Sequence, residues 1–239
     1  MPLVAAAVCP HPPLLVPEVA GAAAPELDDL RTACDAAVAR LLAAGPDEIV
    51  LVGGGPATTT FGASDRGSLR GYGVDVSVPL GPANGAGGER LPLSLTLGAW
   101  LVGRSGTALP RSAEAVAVDE PASRCVALGS ELLRRGDHRT ALLVMGDGSA
   151  CRGQKSPGYD DPRAEPYDEG VARALATADV DALGDLDPGL SAELRVAGRA
   201  PWQVLAGAVR AAGGDWRGEL TYDAAPYGVA YLVASWEPA

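Results

Sequence analysis

Histidine and lysine are nearly missing from this chain: His11 and His138 are its only imidazoles and Lys155 its only lysine in 239 residues. Sites that need two or three imidazoles are therefore almost excluded. The scarcity of lysine accompanies abundant alanine and reads as a GC-rich coding bias, without functional meaning. No run of basic residues occurs, and the formal net charge is −11. Nucleic acid and anionic membranes are poor partners for such a chain. Cysteine is sparse as well: Cys9, Cys34, Cys125 and Cys151 lie apart without a C-x-x-C pair. That excludes clustered zinc ligands and a disulfide framework, and leaves buried or half-buried reduced thiols. No apolar stretch approaches the roughly 18 residues of a membrane span. The apolar residues 3–8 follow no positive charge and are too few for a secretory signal, and Cys9 lacks the context of a lipidated cysteine. A cytoplasmic protein is expected.

What is present suffices for a sizeable core: 47% hydrophobic and 21% charged residues suit one α/β domain over 1–239. Residues 3–8, 48–53, 115–118 and 141–145 read as apolar strands of the type found in covered parallel sheets. Between them, 27–42, 91–102, 123–135, 168–178 and 201–212 carry helical character. The valines of 73–79 alternate and suit a strand near an edge, 81–88 reads as a loop, and 220–222 with 229–235 as an antiparallel pair. The order predicts a three-layer α/β sandwich with a mostly parallel central sheet and some antiparallel strands. A ligand cleft is then expected beyond the carboxyl ends of the parallel strands. That rule gathers His11, Gly53–Pro56 and Asp147–Ser149 at one rim.

His11 stands in Cys9-Pro10-His11-Pro12-Pro13, a proline-stiffened loop directly after the first strand, where α/β proteins display ligands or proton carriers. Gly53-Gly54-Gly55 has the flexibility to cradle an anion. Threonine at position 58 breaks the dinucleotide pattern, no P-loop lysine follows, and a tight strand-end turn is expected instead. Gly146-Asp147-Gly148-Ser149-Ala150-Cys151 offers a serine and a thiol, but Asp147 replaces the glycine that a nucleophile elbow requires. A metal-free hydrolase would need Ser149 or Cys151 beside His11. Asp160, Asp161, Glu165, Asp168 and Glu169 match no cation loop and read as solvated charge and helix capping. His138 precedes its strand and belongs at the opposite end of the sheet.

Together, Pro10-His11-Pro12, Gly53–Pro56, Val144–Ala150, Gly198-Arg199-Ala200-Pro201 and Pro226-Tyr227-Gly228 resemble the class III extradiol ring-cleavage dioxygenase family of the LigB type and its Memo-like relatives. The resemblance implies an extradiol-dioxygenase-like fold with a cleft over the sheet. In ring-cleaving members two histidines and a carboxylate hold Fe(II), and a further histidine moves protons. His11 matches the first metal histidine. The second falls at Gly55-Pro56, the carboxylate (cysteine in Memo-like relatives) at Ala197-Gly198, and the proton-moving histidine at Ala150. One imidazole cannot retain iron against water, so no metal ligand set and no cofactor are expected. Fe(II) or another divalent metal enters only if Asp160, Asp161, Glu237 or a second protein chain supplies ligands.

The resulting expectation is a degenerate iron site whose cleft binds a small molecule or a partner. His11 and Asp147 are its candidate catalytic pair, and Ser149, Arg152, Arg199 and Tyr227 its candidate lining. Arg199 would clamp a carboxylate or phosphate, or instead form a salt bridge within the protein. Leu232, Val233 and Trp236 offer either a homodimer surface or an internal strand.

Overall fold

The computed structural model describes residues 3–81 and 88–239. In chain order its elements are β1 (Leu3–Cys9), α1 (Pro17–Ala20), α2 (Asp28–Ala43), β2 (Glu48–Gly55), β3 (Thr59–Phe61), β4 (Arg66–Ser68) and β5 (Ser77–Pro79). There follow α3 (Leu93–Arg104), β6 (Arg111–Ala117), α4 (Ala122–Leu132), β7 (Thr140–Met145), α5 (Ala164–Thr177), α6 (Val180–Gly184), α7 (Pro188–Glu193) and α8 (Arg199–Ala212). The chain then closes with β8 (Trp216–Ala224) and β9 (Tyr231–Pro238).

Seven strands form one sheet in the order β3-β6-β2-β7-β1-β9-β8. The neighbours β6, β2, β7 and β1 are parallel, while β3, β9 and β8 pair antiparallel. The period-2 geometry of a strand sends alternate side chains to opposite faces, and β1 shows it plainly. Ala5, Ala7 and Cys9 join the core beneath α2 and α3. Ala6 and Val8 join the core beneath α4, α5 and α8. Both faces are covered, which is why β2 and β7 read as unbroken apolar runs. The α4–α8 contact depends on two glycines. A Cβ on Gly129 would fall 2.0 Å from the Val204 carbonyl oxygen, and one on Gly207 the same 2.0 Å from that of Val126.

Several expectations are corrected. Residues 73–79 give no strand of the main sheet: only Ser77–Pro79 is extended, paired with β4 in a separate two-stranded ribbon. Val78 alone is fully buried there, so one anchoring side chain takes the place of an alternating face. The glycines 53–55 are not a turn but the last residues of β2, paired with Ala115–Ala117 of β6. A side chain at Gly53 would meet Ser94 Oγ at 2.6 Å, so α3 packs where a turn was expected. Most of the expected loop at 81–88, residues 82–87, lies outside the described residues. β9 is an interior strand between β1 and β8, and burial within the sheet accounts for Leu232, Val233 and Trp236. Helix α8 starts two residues before Pro201, which the first turn tolerates because its amide would have no helical partner. Among the described residues no helix is long and apolar enough to cross a membrane.

Candidate functional site

Because β6, β2, β7 and β1 run parallel, their carboxyl ends share one rim. Val118, Pro56, Asp147 and His11 lie just beyond them. The His11 loop is fixed from two sides. Pro12 accepts from the Leu15 amide at 2.9 Å, and the His11 backbone N–H donates to Asp147 Oδ1 at 2.7 Å. His11 Nδ1 stands 3.5 Å from that same oxygen. It is buried there without a hydrogen bond. The Asp147 carbonyl in turn accepts from Gly198 N at 2.8 Å, tying the β7 turn to the start of α8. Tyr231, 4% exposed, has its phenol pushed up by burial and secondarily by the Asp147 charge.

The rest of the expected cleft is dispersed. Ser149 is fully buried and turns to Asp168: Oγ donates to Oδ2 at 2.6 Å and its amide to Oδ1 at 2.8 Å. Arg152 reaches Asp168 at 3.4 Å and Glu165 at 2.8 Å. Burial pushes the Asp168 carboxyl up, against the opposing pull of Ser149 and Arg152. Cys151 donates to the Leu194 carbonyl, and burial raises its thiol. The Ser149–His11 and Cys151–His11 pairings that a hydrolase needs are thus replaced by other partners. Tyr227 donates to Glu26 at 2.8 Å. Asp160 accepts from the Gly153 amide, Asp161 is held by Arg163, and Glu237 pairs with Arg217. Glu237 also lies one residue beyond Trp236, which faces Ala6, so it sits toward the amino end of β1 and away from His11.

Arg199 is 2% exposed and forms neither the expected salt bridge nor an open clamp. Its guanidinium donates to the carbonyls of Val118 and Glu120 and, at 3.1 Å, to Gln203 Oε1. It therefore pins the β6–α4 connection onto α8. Arg199 also lines, as expected, a cavity of about 590 Å³ walled by Val118, Pro188, Ala192 and Val196, with Asp119 and Arg195 among its other polar lining. That size is ordinary for a small-molecule site. Another cavity, about 350 Å³, adjoins Pro56, Phe61, Tyr72 and Arg90. His11 lines neither.

Asp168 is the residue that sequence reasoning placed wrongly, as solvated charge. Its signal was available: Ala164, Asp168, Val171, Ala172 and Leu175 recur at helical spacing and form the buried face of α5.

The residues at the rim do not fit an extradiol iron centre, which takes two imidazoles and a carboxylate. A Cβ on Gly55 would stand 2.9 Å from that of Ala115, and one on Gly198 2.2 Å from the Trp202 ring. Those two positions are filled by packing, so ligating side chains are excluded there without rearrangement. Among the described residues no three histidine, cysteine or carboxylate side chains converge on one point.

Fold and rim together define an α/β protein with a mixed, mostly parallel seven-stranded sheet and cavities beyond the strands' carboxyl ends. The chain is similar in structure to an uncharacterized Escherichia coli K12 protein, JW3007, with a TM-score of 0.61 and 16% identity over 98% of this chain and 99% of that one. A likeness at this identity is one of fold. No family model matches the chain, and no curated protein does.

Proposed function

We propose that this chain is an extradiol-dioxygenase-like domain that has lost its iron centre and keeps the rim as a small-molecule binding site. The observation that carries the reading is the Gly198–Trp202 contact: indole occupies the space a metal-binding carboxylate would need, while the 590 Å³ cavity beside it stays open. His11, its backbone held by Asp147, then stands at the rim outside that cavity and carries no metal chemistry.

Metal analysis of freshly purified protein together with a catechol assay tests the first half. The expected result is no bound iron and no ring cleavage; near-stoichiometric iron with catechol turnover overturns the proposal. A thermal-shift screen of small neutral molecules, which the arginine-lined cavity elsewhere in the fold does not favour, tests the second half. Ligands that stabilise the native chain should lose their effect in Ala192→Trp, which fills the cavity from the exposed side of α7. Retention of the full shift in that variant removes the cavity from the account.

A further inference from the structure

A different cavity lies at the opposite end of β6, between the β4–β5 ribbon and the last turns of α3. It holds about 390 Å³, and Val76, Val78, Pro79, Ala99 and Trp100 supply its apolar walls. Two arginines, Arg104 and Arg111, also line it, and no carboxylate does. Arg104 is fully committed: Nε and Nη2 grip Asp35 at 2.9 and 2.6 Å, and its guanidinium carbon stands 4.9 Å from the Trp100 ring centroid.

Arg111 is not committed. Nη2 donates to the Thr107 carbonyl at 3.0 Å, Nε is buried without a partner, and no ion pair reaches the group among the described residues. The remaining residues cannot supply one either, since Met1, Pro2 and 82–87 (Pro-Ala-Asn-Gly-Ala-Gly) contain no acid. Burial alone pulls this guanidinium down from its usual range. A half-buried cation without a counter-ion is unusual, because desolvation is unfavourable unless an anion or a full set of acceptors offsets it. Arg31, Arg152 and Arg199, whose exposure is also restricted, each make several hydrogen bonds.

We propose that this cavity binds a monocarboxylate carried on a compact apolar body, with Arg111 as its counter-ion and Trp100 as a wall. One uncommitted guanidinium matches a single carboxylate in charge and fork geometry. The apolar walls and the volume match a ring-sized body.

Isothermal titration of the full-length chain with 1-naphthoate, its neutral analogue 1-naphthylmethanol and inorganic phosphate tests this. Naphthoate is expected to saturate one site, with the alcohol and phosphate each at least about tenfold weaker, as loss of a charge-assisted bond or of the apolar contact requires. Arg111→Gln should weaken naphthoate about tenfold or more. Gly103→Trp should block it, since a side chain at that exposed helical position meets open space. Ala192→Trp, at the other cavity, should leave it unchanged. Failure of naphthoate to bind, equal binding by alcohol or phosphate, or undiminished binding in both Arg111→Gln and Gly103→Trp would overturn the proposal. Loss of binding in Ala192→Trp alone would overturn it too, by moving the ligand to the rim.

Discussion

Trp202 stands where a side chain on Gly198 would have to stand, 2.2 Å from the position of its Cβ. Gly198 has φ −86° and ψ −15°, a conformation any residue adopts, so the requirement for glycine is steric. Gly198→Ala should therefore cost about 1–3 kcal/mol through overpacking. Trp202→Phe should relieve part of that cost, a coupling that a double-mutant cycle in urea unfolding measures. A neutral Gly198→Ala would mean that the rim yields easily and that the packing argument against a metal ligand is void.

The Ser149–Asp168 pair gives a prediction about reactivity as well as stability. Asp168 is 1% exposed and accepts both Ser149 donors, so Asp168→Ala strands two buried donors and Arg152. The expected loss is about 3–5 kcal/mol. Asp168→Asn, which keeps an acceptor for the Ser149 amide, should lose clearly less. Ser149 itself should resist a fluorophosphonate probe in the native chain. Labelling that disappears in His11→Ala would show the serine working with the imidazole instead.

The layers and most elements were legible in the sequence because burial on both sheet faces leaves unbroken apolar runs at 3–8, 48–53 and 141–145, and helical spacing between them. The rim was legible only as a location. Parallel strands must bring His11 and Asp147 to one edge, and they do. Arg199, Ser149 and Tyr227 were read as lining because they follow strands or open a helix, yet each has a protein partner distant in sequence: Glu120, Asp168 and Glu26. Sequence position tells where a side chain starts and not which partner takes it. Arg111 was overlooked for the converse reason. What singles it out is the lack of an ionic partner among the described residues, and no local pattern encodes that.

Tyr167 is one of the buried groups whose titration lowers stability at alkaline pH. Burial pushes its phenol up to about 12, with the Ser191 hydrogen bond opposing. The folded state therefore favours the neutral phenol more than the unfolded chain does, where the ordinary value is about 10. The stability this contributes is complete below pH 10 and is lost as pH rises from about 10 to about 12. At about 1.4 kcal/mol per unit the loss is of order 2–3 kcal/mol. Tyr231 and Cys125 shift in the same direction, so the wild-type chain should lose stability more steeply than one group explains. Urea midpoints between pH 9 and 12 should fall less in Tyr167→Phe than in wild type. Parallel curves would assign the alkaline loss to other groups.

The His11 loop has one side-chain acceptor, Asp147. Asp147 Oδ1 takes the His11 amide at 2.7 Å across 136 residues of sequence, and the Asp147 carbonyl holds Gly198. Backbone contacts survive substitution at 147, whereas the loop tether does not. Asp147→Ala should therefore leave the β7–α8 junction intact, free the residues around His11, and cost about 1–3 kcal/mol for the stranded amide. Asp147→Asn keeps a side-chain oxygen in place and should cost less than about 1 kcal/mol. Hydrogen exchange separates these outcomes better than global unfolding does, since the His11 amide reports the tether directly while Gly198 reports the junction. Faster exchange at His11 in the alanine variant alone, with Gly198 protected in both, is the expected pattern. Equal exchange at His11 in all three proteins would mean that the proline residues alone hold the loop, and that Asp147 is free for another partner.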